Sequence, residues 1–158
     1  MTTRVIYASL AIATFTSSLA AQQTVHTEPY LPSALHDFRV VEVADGLINP
    51  SSMEFTPEGD LLVTERPGRL RIIRDDVLLP DSVDGLPDIL ALGRGAMAMN
   101  GLEQAGLRDA RIHPDFEQNR LLYLSYVKPG PDSLGSLAVV RGRFENDRLH
   151  DVEELFHA

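Results

Sequence analysis

The 158-residue sequence has no cysteine and no tryptophan, and only 6% of it is aromatic, so any core must be built mainly from aliphatic side chains. Without cysteine there is no disulfide, no thiolate metal ligand and no cysteine nucleophile, and stability has to come from packing. Basic residues are scarce too. The chain holds 14 Lys and Arg against 23 Asp and Glu, a formal charge of −9. Nucleic-acid binding depends on Lys and Arg displacing counterions from phosphates, so no nucleic-acid partner is expected, and the charge is read as favouring solubility. Long apolar runs are missing outside the first twenty residues, so no membrane span is expected in the exported product. Helical periodicity is missing as well.

What is present begins with an export signal. Arg4 precedes an uncharged apolar run over residues 5–15, and small residues close the segment at Ser18-Leu19-Ala20. The run is shorter than the roughly 20 residues that cross a bilayer, so residues 1–20 read as a cleaved signal peptide and the product as periplasmic. Residues 21–37, with Pro29 and Pro32 and no periodicity, read as an extended leader.

From Phe38 onward the texture is that of strands. Residues 38–44 are rich in β-branched side chains and end at the turn signal Asp45-Gly46. A short strand at 53–55 meets the Pro57-Glu58-Gly59-Asp60 turn, and strands follow at 61–65, 69–74 and 77–79, separated by Pro67-Gly68 and Asp75-Asp76. Leu70 and Ile72 alternate with arginines, which predicts that Arg69, Arg71 and Arg74 lie on a solvated face. The same order then repeats: strands at 107–112, 121–126, 137–144 and 149–156, with the turn 113–119 after the first. Pro57 answers to Pro114, 57 residues on, and Leu61-Leu62 to Leu121-Leu122, 60 residues on. Repeated four-stranded units with Gly and Pro turns have the pattern of propeller blades, so the expected fold class is all-β, with about two four-stranded blades of a β-propeller over 38–158. Between the blades, residues 85–106 form a long connection with Gly93, Gly95 and Gly101. No strand–Gly–helix context surrounds it, which excludes a nucleotide loop.

Two motif blocks carry a family resemblance. Leu47-Ile48-Asn49-Pro50, Met53 and Phe55 lead into Pro57-Glu58-Gly59-Asp60-Leu61-Leu62-Val63-Thr64-Glu65-Arg66-Pro67-Gly68-Arg69-Leu70. Gln104-Ala105-Gly106-Leu107 leads to His113-Pro114-Asp115-Phe116 and then Asn119-Arg120-Leu121-Leu122-Tyr123-Leu124-Ser125-Tyr126. In order and spacing these resemble the first two blades of the soluble pyrroloquinoline quinone (PQQ) dependent glucose and aldose sugar dehydrogenases. Departures are Ser52, where the family usually has Trp, Ala105-Gly106 in place of a Gly-Gly pair, and an apparent insertion over 96–103.

The resemblance implies a six-bladed propeller that oxidises an aldose sugar at its anomeric carbon to the lactone, with PQQ and calcium as cofactors and an external electron acceptor. In it a histidine takes the hydroxyl proton, a role imidazole suits near neutral pH. It implies that residues 38–44 close the ring, and that Gln104 contacts the sugar through an amide that both donates and accepts. The plainer alternative is that Gln104 is an ordinary loop side chain. His113 matches a turn position and reads as structural, and His150 and His157 match nothing catalytic. Asp109, Asp115 and Glu117 read as solvated residues, because calcium takes about six to eight oxygens. The family's catalytic histidine, calcium ligands and quinone contacts are expected beyond Ala158, so the expectation for this chain is no catalytic, metal or cofactor-binding residue and no activity by itself. Since fold does not fix function, the rival is a non-enzymatic propeller that binds a sugar or a protein.

Overall fold

A computed structural model describes residues 30–31, 34–91, 105–131 and 135–158. The signal peptide and Gln104 lie outside the described residues. The chain divides into two compact units at Val41. In the first, β1 (Tyr30–Leu31) pairs antiparallel with β2 (Phe38–Arg39), Leu31 opposite Phe38. The strand expected over 38–44 is therefore cut short. Residues 40–47 join no ladder, and Val40, Val41 and Val43 stay about half exposed. β-branched residues favour a strand only where a neighbouring edge and a packed face receive them, and this segment has no partner strand.

The second unit is two antiparallel meanders. β3 (Pro50–Phe55), β4 (Leu61–Glu65), β5 (Arg69–Arg74) and β6 (Val77–Leu78) form one four-stranded sheet in chain order. β7 (Leu107–Ile112), β8 (Leu121–Pro129), β9 (Gly135–Glu145) and β10 (Arg148–His157) form the other, with one helical turn, α1 (Phe116–Asn119), between β7 and β8. The turns follow from local chemistry. Asp75 and Asp76 both take positive φ (51° and 60°), as do Asn146 and Asp147 (52° and 57°), and two such residues make the primed hairpin turn whose twist matches its strands. The Thr56 N–H donates to Asp60 O (2.8 Å), which closes the Pro57–Gly59 loop.

The two sheets share one core. Leu62, Leu70 and Ile72 of the first blade pack in a single cluster with Ala110, Leu122, Leu124 and Val140 of the second. Contacts between the inner strands set the correspondence of the blades. Ser52 Oγ bonds Asp109, and Arg111 Nη1 donates to Met53 O (3.2 Å) and Glu54 Oε2 (2.8 Å), so β3 and β7 lie side by side with matching residues 57 apart (109 − 52). Phe55 then answers to Ile112. Phe55 pairs with Leu61 and Ile112 with Leu122, so Leu61 answers to Leu122, 61 residues on, and the match of Leu61-Leu62 to Leu121-Leu122 is one residue out. In a strand such a slip swaps the faces. Leu62 thus points toward the second blade while Leu122 points back toward the first, and both are completely buried.

The same geometry corrects the arginines of β5. Arg71 is 8% exposed, with Nη2 donating to Leu79 O (2.7 Å) and Nη1 3.8 Å from a Glu65 oxygen. It lies on the side of the sheet that carries Val63 and Ile73, which are also buried, so this is no solvated face. The segments beside the sheet cover that side: residues 42–47 together with Met53, Leu61, Val63 and Ile73 line an apolar cleft of about 500 Å³. Met53 and Phe55 at its edge are 63% and 65% exposed.

Hydroxyls stitch the blades where apolar packing ends. Ser51 Oγ lies 2.9 Å from Thr64 Oγ1 and donates to Leu107 O at 3.0 Å. Removing one such partly buried hydrogen bond costs about 1 kcal/mol. Ser51→Ala is expected to lower the urea midpoint by that amount without changing the slope, and an unchanged midpoint would show that water replaces the hydroxyl at no cost.

Candidate functional site

Strand register sorts the residues into two ends. Pro50, Glu65, Arg69, Leu107, Tyr126 and Gly135 stand where β3 and β7 begin, and Phe55, Leu61, Ile73, Ile112 and Leu122 stand at the far end. Gln104 precedes β7 and so enters the fold at the first of these, which makes that end the candidate site.

Its foundation is Glu65, the last residue of β4, which is completely buried. One carboxylate oxygen accepts the Ile48 N–H at 2.5 Å and the other accepts Arg69 Nε at 2.6 Å. A buried charge is tolerated only when it is paired and hydrogen-bonded, and these donors supply both conditions. Glu65 thereby fastens the segment before β3 to the turn between β4 and β5. Main-chain bonds finish the junction: the Gly68 N–H donates to Glu65 O (2.9 Å) and the Arg66 N–H to Asn49 O (3.0 Å). Strand alternation gives no warning of this role. The signal available in the sequence is a carboxylate flanked by apolar strand residues with Arg69 four positions on.

The second blade meets this turn at Gly106. Its φ is +104°, and a Cβ there would stand 2.0 Å from Arg66 O, so only glycine allows the approach. The Gly106 carbonyl accepts the Val127 N–H (3.0 Å), and the Val127 carbonyl accepts the Leu90 N–H (2.8 Å). Ala105 is buried at 3% exposure. The chain leaving Gln104 is therefore held from its next residue onward. Ser52, standing where the resembling family usually has Trp, bonds Asp109 between the inner strands instead.

The far end holds the other polar cluster. Arg74 bridges Asp60 (Nη2 to Oδ2, 2.6 Å) and Asp147 (2.9 Å), and these hydrogen bonds, from Asp60 first, hold its guanidinium above the usual arginine range. Arg120 pairs with Glu58 beside it. These charges are spent on one another across the two blades.

The remaining candidates do not converge. His113 Nδ1 accepts the Asp115 N–H (3.0 Å) and lies 2.9 Å from Asn119 Nδ2, while its ring stacks 6.2 Å from Tyr123, so it organises the turn at the far end. His157 Nε2 lies 2.6 Å from Ser136 Oγ, and His150 sits opposite Arg143 in the ladder. Asp109 lies within β7, whereas Asp115 and Glu117 belong to the turn beyond it. Among the described residues no group of three or more His, Asp or Glu could hold a metal ion. Arg69 and Arg71 are engaged by Glu65 and main-chain carbonyls. The described residues thus do not fit calcium or the carboxylates of PQQ, and no chemical step is assigned to them. Among them also, no helix is long and apolar enough to cross a membrane.

Comparison with known proteins gives a consistent result. A model of the glucose/sorbosone dehydrogenase family matches residues 47–158. An uncharacterised protein of Synechocystis sp. is 38% identical over 120 residues, covering 76% of this chain and 28% of the relative. The aldose sugar dehydrogenase YliI of Escherichia coli is 35% identical over 115 residues, covering 71% and 28%. A crystal structure of a glucose dehydrogenase superposes with a TM-score of 0.63 at 37% identity, covering 74% of this chain and 32% of that one. The PQQ-bound aldose sugar dehydrogenase of Streptomyces coelicolor superposes with a TM-score of 0.57 over 75% and 33%; at 20% identity it speaks to the fold alone. The chain spans 28% of the length of the curated relatives it matches.

Proposed function

The chain belongs to the glucose/sorbosone dehydrogenase family, and on that footing we propose that it forms the first two blades of a periplasmic quinoprotein that oxidises aldose sugars at the anomeric carbon to lactones. PQQ would accept the electrons, with calcium as its partner ion and an external acceptor to regenerate it. The observation that carries this reading is the family match over 47–158, the stretch that folds as the two blades. The export signal at Arg4, residues 5–15 and Ser18-Leu19-Ala20 supports the periplasm as the compartment.

Within that reading the described residues have an anchoring role. Glu65 fixes the turn between β4 and β5, Gly106 seats the second blade against it, and Gln104, two residues earlier, offers its amide to the sugar hydroxyls. The chemistry itself belongs to the cofactor.

The test is turnover. Assayed with PQQ, calcium, D-glucose and a redox dye, the intact protein that carries these blades is expected to reduce the dye, and the 158-residue chain by itself is expected not to. Gln104→Ala is expected to raise KM for the sugar about tenfold, the worth of one lost hydrogen bond of about 1.4 kcal/mol. Dye reduction with no aldose would overturn the reading, and sugar binding without turnover would favour a non-enzymatic propeller.

A further inference from the structure

A second cleft opens at the same end as the Gln104 entry and plays no part in the junction built by Glu65 and Gly106. It lies between the inter-blade connection at Pro87-Asp88 and the second blade, and encloses about 340 Å³. Ligand pockets begin at about 300 Å³, so it has room for one small ring and little more. Tyr126, Lys128 and Pro129 of β8, Val140 of β9, and Val152 and Glu154 of β10 complete the lining.

The chemistry of these walls is of two kinds. Val140, Val152 and the rings of Pro87 and Pro129 present an apolar surface. Against it stand two carboxylates, an ammonium and a phenol. Lys128 Nζ donates to Glu154 Oε2 at 2.7 Å, and this bond holds the Glu154 carboxyl below and the Lys128 ammonium above their ordinary ranges, so both are charged at neutral pH. Burial, and then the charge of Glu154, push the Tyr126 phenol up, so its hydroxyl remains protonated. Asp88 is exposed on the opposite wall and acts on the same phenol. A sugar ring matches such walls: its C–H face packs on proline and valine, and its rim of hydroxyls donates to carboxylates and accepts from an ammonium. The cleft is also close to the proposed sugar contact. Val127, between Tyr126 and Lys128, donates to Gly106 O, and the two residues from Gly106 back to Gln104 reach at most about 7 Å.

We propose that this cleft is a second carbohydrate subsite, holding the next ring of an oligosaccharide whose reducing end lies at Gln104. The inference rests on the aldose dehydrogenase reading for the nature of the substrate. It makes the enzyme one that prefers oligosaccharides to free hexose, with Asp88, Lys128 and Glu154 as specificity residues.

The experiment compares maltotriose with D-glucose on the intact protein, by steady-state dye reduction and by saturation-transfer NMR. Asp88→Ala removes an exposed acceptor, and Val152→Trp fills the cleft from a partly exposed position. Maltotriose is expected to bind and react at about tenfold lower concentration than glucose. Either substitution is expected to abolish that advantage while leaving kcat and the KM for glucose unchanged, which also shows that the variants fold. Equal affinity for the two sugars, or a maltotriose advantage that survives both substitutions, overturns the subsite. Maltotriose binding that depends on Asp88 without dye reduction from any aldose would sustain the subsite and overturn the enzyme reading, so the two failures are distinguishable.

Discussion

Glu65→Ala is expected to destabilise the protein by about 3 kcal/mol, which would make it the most costly single side chain at the candidate site. Breaking a buried ion pair from one side costs about 3–5 kcal/mol, because the partners keep their desolvation penalty and lose their compensation. The lower figure applies because the Arg69 side chain is 38% exposed and can turn to water, while the Arg71 side chain, at 9%, cannot. The Ile48 N–H loses its acceptor as well. Glu65→Gln keeps an oxygen for Ile48 but sets an amide against Arg69, and a smaller loss of about 1–2 kcal/mol is expected. Urea unfolding followed by far-ultraviolet circular dichroism measures both. A loss below 1 kcal/mol for the alanine variant would show that Glu65 is not what fastens the turn between β4 and β5.

Gly106→Ala is expected to cost about as much by a different route. A side chain at a φ of +104° carries strain of about 1–3 kcal/mol, and the new Cβ would stand 2.0 Å from Arg66 O and 2.9 Å from Arg66 Cα. These are main-chain atoms of a turn held by Glu65 and Asn49, so nothing flexible can swing aside, and the blades must separate or the turn must shift. Gly59→Ala supplies the control. Its φ is +96°, yet nothing lies within 4 Å of the added Cβ, so the strain acts alone and about 1 kcal/mol is expected. Equal losses at the two positions would mean that the approach of Gly106 to Arg66 contributes nothing beyond backbone preference.

Particular residues show how far the sequence could be read. The strands from Leu61 to Arg74 and from Leu107 to Phe156 are where β-branched content, alternation and punctuation by Pro, Gly and Asp place them. Asp75-Asp76 and the 57–60 loop form the turns their residue types require. The family, too, was legible from two motif blocks. Three readings failed or fell short. Arg71 is buried although it alternates with Leu70 and Ile72, because its sheet is covered on both sides and its guanidinium reaches Leu79 O. The strand expected over 38–44 stops at Arg39, since β-branched residues without a partner edge gain nothing from extension. Matching Leu61-Leu62 to Leu121-Leu122 was off by one, because the loop after the first strand differs in length between the blades and leucines stand side by side in both. Glu65 went unremarked for the reason that made Arg71 misleading: alternation reports which side of a strand a residue occupies, and says nothing of what covers that side.

What the sequence determined by itself is local: the strands and their order, the turns, the absence of any disulfide, and a family whose motifs are contiguous runs. These depend on φ preferences, side-chain branching and spacing within a few residues. Tertiary structure alone decided which face of each blade is buried, that Leu62 and Leu122 meet in one core, that Glu65 is a buried anchor, and that Gly106 must be glycine. Those outcomes depend on residues some 15 to 60 positions away in the chain, and with a side-chain period of two a single-residue difference in a loop reverses them.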